Sequence, residues 1–125
     1  MILVTGGAGF IGANFVLDWL AEHDEPVINL DKLTYAGNLE NLSSLNNDAR
    51  HIFVQGDIGD RVLMASLLAT HRPRAIVNFA AESHVDRSIH GPEDFIQTNI
   101  VVTFHLLEEV RGYHSGLTQE EKSNF

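Results

Sequence analysis

The 125-residue sequence contains no cysteine, so disulfides, a thiolate zinc site and a thiol nucleophile are all excluded. Basic residues are also scarce: 8 Lys and Arg stand against 17 Asp and Glu, a formal net charge of −9. This balance argues against a nucleic-acid or anionic-membrane partner. The sequence further lacks an apolar run long enough to span a bilayer and a leader segment of basic, then apolar, residues. We therefore expect a cytoplasmic protein that binds neither nucleic acid nor a membrane.

Apolar residues, by contrast, make up 44% of the chain, and the length suits one domain over residues 1–125. Unbroken apolar runs predict buried parallel strands, and segments with helical spacing of apolar residues separate them. The predicted strands are 1–5, 27–30, 51–55 and 74–80, and the predicted helices are 10–22, 60–70 and 92–112. A loop with a short helical piece is expected over 32–48, and a polar connector over 114–125.

This alternation predicts an α/β fold: a Rossmann-type doubly wound parallel sheet that is truncated after the fourth strand and its following helix. Right-handed crossovers give the strand order 3-2-1-4. The crevice at the reversal of that order lies between strands one and four, whose ends carry small residues, Gly6–Gly9 and Ala80-Ala81. A broad, flat ligand can lie there.

A glycine-rich turn joins the first strand to the first helix. Gly7, Gly9 and Gly12 satisfy G-x-G-x-x-G, the pattern that grips a dinucleotide pyrophosphate. Glycine allows the sharp turn and lets the backbone approach the phosphates, and the helix aims unpaired N–H groups at the anion. An ordinary glycine turn is the alternative, but the strand before it and the helix after it favour the dinucleotide.

Two acidic residues follow neighbouring strands. Asp31 comes 19 residues after Gly12, close to the spacing expected of the acid that binds the adenosine ribose. Its charge would repel a 2′-phosphate, which favours NAD over NADP, although the adjacent Lys32 weakens that argument. Asp57 can accept from the adenine amino group with the Ile58 backbone alongside, while Asp60 caps the next helix. The alternatives are a strand-end turn for Asp31 and a helix cap for Asp57.

Further polar residues follow the second and fourth strands. Thr34 and Asn38 lie where adenosine contacts are expected, with a solvated connector as the alternative. The stretch 82–90 is dense in hydrogen-bonding groups, typical of contacts to a sugar and its phosphates, although an Asp86–Arg87 ion pair in a loop explains those two residues as well. The spacing of His84, Asp86 and His90 has no fixed local geometry for a metal, so we predict no metal site.

The predicted helix 92–112 is apolar nearly all round. One face must cover the sheet, and the rest needs a cover from further chain or from a partner subunit, which suggests self-association. Thr98 and Asn99 are the polar exceptions in its first half, near the crevice.

Four segments carry a resemblance to the extended short-chain dehydrogenase/reductase family and, more narrowly, to the dTDP-glucose 4,6-dehydratases: residues 5–12, 31–39, 56–58 and 80–88. The resemblance covers the whole chain but only the front part of the family's chain. It implies a tightly held NAD that takes hydride from C4 of the glucose; water then leaves across C5 and C6, and the hydride returns to C6. It also implies a homodimeric full-length protein.

The resemblance assigns site residues one by one. Phe10 and Ile11 would contact the pyrophosphate, and Asp57 and Ile58 the adenine. The other implied cofactor contacts are Gly6, Gly9 and Gly12 at the glycine turn, Asp31, Lys32, Leu33 and Thr34 beside the ribose, Phe79, Ala80, Ala81, Glu82 and Ser83 along the cofactor, and Thr98 on the nicotinamide side. Ser83 would also touch the nucleotide-sugar substrate.

The family's catalytic Tyr-x-x-x-Lys is missing from the chain. The residue four positions after Tyr35 is Leu39, and the residue four positions after Tyr113 is Leu117, so neither tyrosine has the lysine of that motif. We therefore expect no catalytic residue within these 125 residues, and NAD binding without turnover. A nucleotide-sugar 4-epimerase or decarboxylase is the nearest alternative, and a non-catalytic NAD-binding module is another.

Overall fold

A computed structural model of the protein describes residues 1–34, 37–83 and 85–125, with the backbone alone for 85–87. Four parallel strands form one sheet in the order β3-β2-β1-β4. They are Ile2–Thr5 (β1), Val27–Asp31 (β2), His51–Gln55 (β3) and Ile76–Asn78 (β4). The predicted Rossmann-type order is thereby confirmed.

The fourth strand is shorter than the predicted 74–80. It pairs with β1 only from Leu3↔Ile76 to Thr5↔Asn78, because β1 itself stops where the glycine turn begins. The Phe79 N–H still donates to the Thr5 carbonyl at 2.8 Å, which places the following residues beside that turn.

Both inner strands, β1 and β2, are buried along their whole length, which explains why both are mainly apolar. Two hydrophobic clusters cover the two faces of the sheet. One joins Val4 to Val16 and Leu42, and the other joins Leu3 to Met64 and Leu106. The sheet is therefore doubly wound, with its core on both sides.

Helices Phe10–Glu22 (α1) and Arg61–His71 (α2) follow β1 and β3, and a 3₁₀ helix spans Leu39–Leu45. Asp60 caps α2 as predicted: its side chain accepts from the Leu63 N–H at 3.0 Å.

The last third of the chain is more helical than predicted. Its elements are Val85–His90 (α3), Pro92–Ile96 (α4), a π-helical segment Gln97–Val102, Thr103–Ser115 (α5) and Gln119–Asn124 (α6). The predicted end at Gly112 is wrong: the helix continues to Ser115 because Gly112 lies within it and Gly116 caps it.

Two stretches without a predicted helix are helical. Residues 85–90 form α3, and the predicted connector 114–125 contains α6. A capping box explains α6: the Thr118 hydroxyl accepts from the Glu121 N–H, and the Glu121 carboxylate accepts from the Thr118 N–H.

An apolar stripe of four side chains runs along the outer face of the α4–α5 helical run. Its members are 51–62% exposed and follow helical spacing: Ile96, Ile100, Phe104 and Leu107. Leu106, on the other face, is buried against the sheet. Across the described residues, none of the helices combines the length and apolarity needed to cross a membrane.

Candidate functional site

A cleft of about 380 Å³ opens at the carboxyl ends of the strands, where ligands of open α/β sheets bind. Its volume lies within the usual range for small-molecule sites. The glycine turn, the ends of β2 and β3, the segment after β4 and the start of the α4–α5 run line it. The lining residues are Gly6, Gly9, Leu30, Asp31, Lys32, Thr34, Gly37, Gly56, Asp57, Ile58, Phe79, Ala80, Ala81, Glu82, Asp94, Gln97, Thr98 and Val102.

The glycine turn forms one wall of the cleft, and its geometry requires glycine. Gly6 has a left-handed φ of 72°, and a Cβ there would lie 2.5 Å from the Ala80 nitrogen. A Cβ on Gly12 would lie 2.2 Å from the Gly6 carbonyl oxygen. The first helical turn therefore packs directly on the glycine turn.

A buried asparagine supports this turn from beneath, and sequence reasoning missed it. Asn29 lies in β2, and its Nδ2 donates to the Gly7 carbonyl at 3.2 Å. The same Nδ2 lies 3.2 Å from the His51 Nε2, an arrangement that fits a neutral imidazole acceptor. Burial lowers the pKa of His51, with Asp48 opposing it, which favours that neutral form. An amide inside an otherwise apolar strand was the available signal.

The amino terminus of α1 has unpaired N–H groups of the kind that an anion requires. Gly9, the N-cap, offers no side-chain acceptor, and the first helical bond runs from the Ala13 N–H to the Gly9 carbonyl at 2.8 Å. The N–H groups of Phe10, Ile11 and Gly12 consequently have no acceptor within the helix. The Phe10 and Ile11 side chains are 81% and 68% exposed and do not line the cleft, so only their backbones suit a phosphate.

Asp31 lies at the end of β2 and is only 8% exposed. Its Oδ2 accepts from the Ala8 N–H at 2.8 Å, and its Oδ1 accepts from the Leu33 N–H at 2.7 Å. The carboxylate thereby fixes the glycine turn and holds Leu33 in a left-handed conformation. Each oxygen keeps further acceptor capacity toward a ligand in the cleft.

The loop after β2 is tied to the same turn. The Ala8 carbonyl accepts from the Asn38 N–H at 3.0 Å and from the Asn41 Nδ2 at 3.3 Å. Asn38 also caps the 3₁₀ helix through the Glu40 N–H and does not line the cleft, whereas the exposed Thr34 does. Tyr35 and Ala36, within the segment that carries the resemblance, lie outside the described residues.

Asp57 and Lys32 form an ion pair at the rim of the cleft, with 2.6 Å between Oδ2 and Nζ. Burial acts to raise the pKa of Asp57. The Lys32 ammonium and the Gly59 N–H, which donates to Oδ1 at 2.8 Å, outweigh it, so the pKa lies below its usual value. Ile58 beside it is buried in the core, which leaves its backbone for a ligand.

An asparagine on the π-helical segment holds the backbone of residues 79–83, the strip that follows β4. The Asn99 Oδ1 accepts from the Glu82 N–H, and its Nδ2 donates to the Glu82 carbonyl, both at 2.8 Å. Phe79, Ala80, Ala81 and Glu82 line the cleft, but the exposed Ser83 lies outside its lining. Thr98 lines the cleft as expected.

The structure adds Asp94, Gln97 and Val102 to the cleft, which sequence reasoning did not name. Together with Thr98 they repeat at helical spacing, so one face of the helix reaches the crevice; that spacing was the available signal.

A second cavity of about 300 Å³ adjoins the cleft through Glu82 and Asp94, which line both; His90, Gly91 and Phe95 complete its lining. Within the described part of the chain, His, Asp and Glu form no group of three suited to a metal ion. His84 and the side chain of Asp86 lie outside it.

A comparison with protein families identifies the family of this chain. The family model for GDP-mannose 4,6 dehydratase matches residues 3–124. The chain belongs to this family. A dTDP-glucose 4,6-dehydratase of Xanthomonas campestris pv. campestris (strain B100) is 59% identical over 123 residues, which are 98% of this chain and 35% of that protein.

Solved structures agree with this dehydratase family. A dTDP-glucose 4,6-dehydratase from Streptomyces venezuelae with NAD bound is 50% identical with a TM-score of 0.85, and the match covers 90% of this chain and 36% of that one. A UDP-glucose 4-epimerase from Thermotoga maritima with UDP-glucose is 38% identical with a TM-score of 0.78, over 90% and 34%. The resemblance to dTDP-glucose 4,6-dehydratases is thus confirmed, and the chain spans about a third of the length of these relatives.

Proposed function

We propose that this chain is the cofactor-binding part of an NAD-dependent lyase, a dTDP-glucose 4,6-dehydratase, and that it binds NAD in the cleft at the ends of the strands. One arrangement carries the proposal. The uncapped amino terminus of α1 lies at one wall, and Asp31 and Asp57 follow the two neighbouring strands. This order of groups suits a dinucleotide: N–H donors for the pyrophosphate, then a carboxylate for the ribose. Asp57 would accept from the adenine amino group.

The charge of the cleft makes the helix terminus decisive. The lining contains the carboxylates of Asp31, Asp57, Glu82 and Asp94, and Lys32 is its only Lys or Arg among the described residues. Since Lys32 already pairs with Asp57, an anionic pyrophosphate depends on the α1 backbone N–H groups and the positive end of the helix.

A charge placed in the first turn of α1 tests this dependence. Ile11 is 68% exposed, so Ile11→Glu adds a carboxylate without opening the core, and an acid in the first turn favours the helix. The added charge repels the pyrophosphate by about 1–4 kcal/mol, so NAD affinity should fall at least about fivefold. Titration calorimetry with NAD measures the effect.

Val62→Glu is the matched control. Val62 is the second residue of α2, as Ile11 is of α1, and it is 81% exposed. We expect its NAD affinity to equal that of the unchanged chain. The proposal fails if the unchanged chain releases no heat with NAD, or if both variants bind as it does.

The same proposal extends to the substrate. Ser83 would contact the nucleotide sugar, and turnover would require the Tyr-x-x-x-Lys pair, which this sequence lacks. The purified 125-residue chain should therefore form no 4-keto sugar from dTDP-glucose. Formation of that product by this chain would contradict the assignment.

A second candidate function rests on the likeness to the UDP-glucose 4-epimerase structure, at a lower identity of 38%. An activity assay of the whole protein distinguishes the two functions. A dehydratase converts dTDP-glucose to a 4-keto-6-deoxy product, whereas an epimerase returns a sugar nucleotide of unchanged mass from UDP-glucose. A module that binds NAD without catalysis would convert neither.

We propose further that the whole protein is a homodimer through the apolar stripe of Ile96, Ile100, Phe104 and Leu107. A stripe of this kind suits a self-complementary contact around a two-fold axis. Ile100→Glu should shift sedimentation of the whole protein to the monomer, and Val62→Glu should not. Unchanged sedimentation of the Ile100→Glu protein would contradict this interface.

Two further expectations stay predictions: that residues 1–125 form one domain, and that the protein is cytoplasmic.

A further inference from the structure

The ion pair between Lys32 and Asp57 joins two neighbouring strand ends. β2 and β3 are paired up to Asp31↔Gln55, so the residues that follow them, Lys32 and Asp57, meet at the rim of the cleft. Their charged atoms are 2.6 Å apart, and both residues line the cleft. The pair therefore lies beside Asp31, where the proposed function puts the adenosine ribose.

A 2′-phosphate on that ribose would meet opposing charges. Asp31 would repel it, and this carboxylate is held in place by the N–H groups of Ala8 and Leu33. Lys32 would attract it, and it is the only Lys or Arg among the described lining residues. The outcome depends on whether the ammonium of Lys32 is available.

The ammonium group of Lys32 is already paired with Asp57. Its Oδ2 holds Lys32, and its Oδ1 is itself held by the Gly59 N–H at 2.8 Å. A 2′-phosphate would have to break this pair to reach the lysine, whereas an unsubstituted ribose would not.

We propose that Asp57 sets the preference of this site for NAD over NADP by holding Lys32 away from a 2′-phosphate. Asp57 is thus a positioning residue for selectivity, in addition to any contact it makes with adenine. This inference rests on the proposed function, because it needs a dinucleotide in the cleft.

The test compares NADH and NADPH binding to the 125-residue chain by calorimetry, for the unchanged chain, Asp57→Asn, Lys32→Met and the double variant. Asparagine keeps an acceptor for the Gly59 N–H but loses the charge. Loss of an adenine contact affects both cofactors equally and cancels in the affinity ratio. We expect Asp57→Asn to raise the NADPH affinity relative to NADH about tenfold, the value of one charge-assisted hydrogen bond.

The double variant separates the lysine from the charge of Asp57 itself. We expect the gain to vanish when Lys32 is also replaced, and to shrink with added salt. An unchanged ratio in Asp57→Asn, or a gain that persists in the double variant, overturns the inference while NAD binding stands. If the unchanged chain binds neither cofactor, the proposed function fails and this inference with it. Far-ultraviolet circular dichroism and urea unfolding establish that each variant is folded.

Discussion

Replacing Gly12 by alanine tests how closely α1 packs on the glycine turn. Inside a helix, alanine is normally more stable than glycine by about 1 kcal/mol. Here the new Cβ would lie 2.2 Å from the Gly6 carbonyl oxygen and 2.8 Å from the Gly7 Cα. Both are backbone atoms, so the turn or the helix must move. Overpacking of this kind costs about 1–3 kcal/mol, enough to reverse the sign.

Gly112→Ala is the matched control. Gly112 also lies within a helix, α5, but a Cβ there has no described atom within 4 Å. Alanine should therefore stabilise the chain by about 1 kcal/mol. The same substitution thus gives opposite signs at the two positions.

Urea unfolding measures both effects, with the fluorescence of Trp19, which stacks on Phe15 with ring centroids 5.7 Å apart, as the probe. NAD calorimetry on the folded variants should show weakened binding for Gly12→Ala only. A Gly12→Ala chain as stable as the unchanged one, or a Gly112→Ala chain destabilised to the same extent, would refute the reasoning.

Three further predictions concern single contacts. Asp60→Ala should cost about 1 kcal/mol in urea unfolding by removing the α2 cap, with NAD affinity unchanged and Asp60→Asn close to the unchanged chain. Asn99→Ala should lower the free energy of unfolding by about 1–3 kcal/mol, because both hydrogen bonds to the Glu82 backbone are lost. The Arg74 hydrogen bond, opposed by burial and joined by the amino-terminal charge, lowers the pKa of Glu25 from 4.5 to about 2. Its stabilisation is therefore present above pH 4.5 and lost as the pH falls toward about 2, and urea midpoints of Glu25→Gln across that range should show a smaller loss.

The sheet and its first helices were predictable from sequence because each has a local cause. Buried parallel strands are mainly apolar, so the fully buried β1 and β2 are where the pattern puts them. Handedness then leaves one strand order. Asp60 was predictable as a cap because its position before an apolar helix suffices.

The remaining elements depend on contacts between distant residues. Asn99 fixes Glu82 across 17 positions of the chain, and no local pattern announces that pairing. The helix α3 is built mostly from polar residues, which equally suit a loop. By contrast, α6 carried a readable signal, since Thr118 and Glu121 have the spacing of a capping box.

The double engagement of Asp31 has a consequence for redesign of cofactor preference. An obvious route to NADP use is to delete this acid, but its oxygens also fasten Ala8 and Leu33. Replacing Asp31 would remove the repulsion of a 2′-phosphate, but it would also free the glycine turn that is proposed to hold the pyrophosphate. Affinity for both NAD and NADP would therefore fall. Substitutions at the Lys32–Asp57 ion pair leave the hydrogen bonds of Asp31 intact, so they are the better starting point for such a redesign.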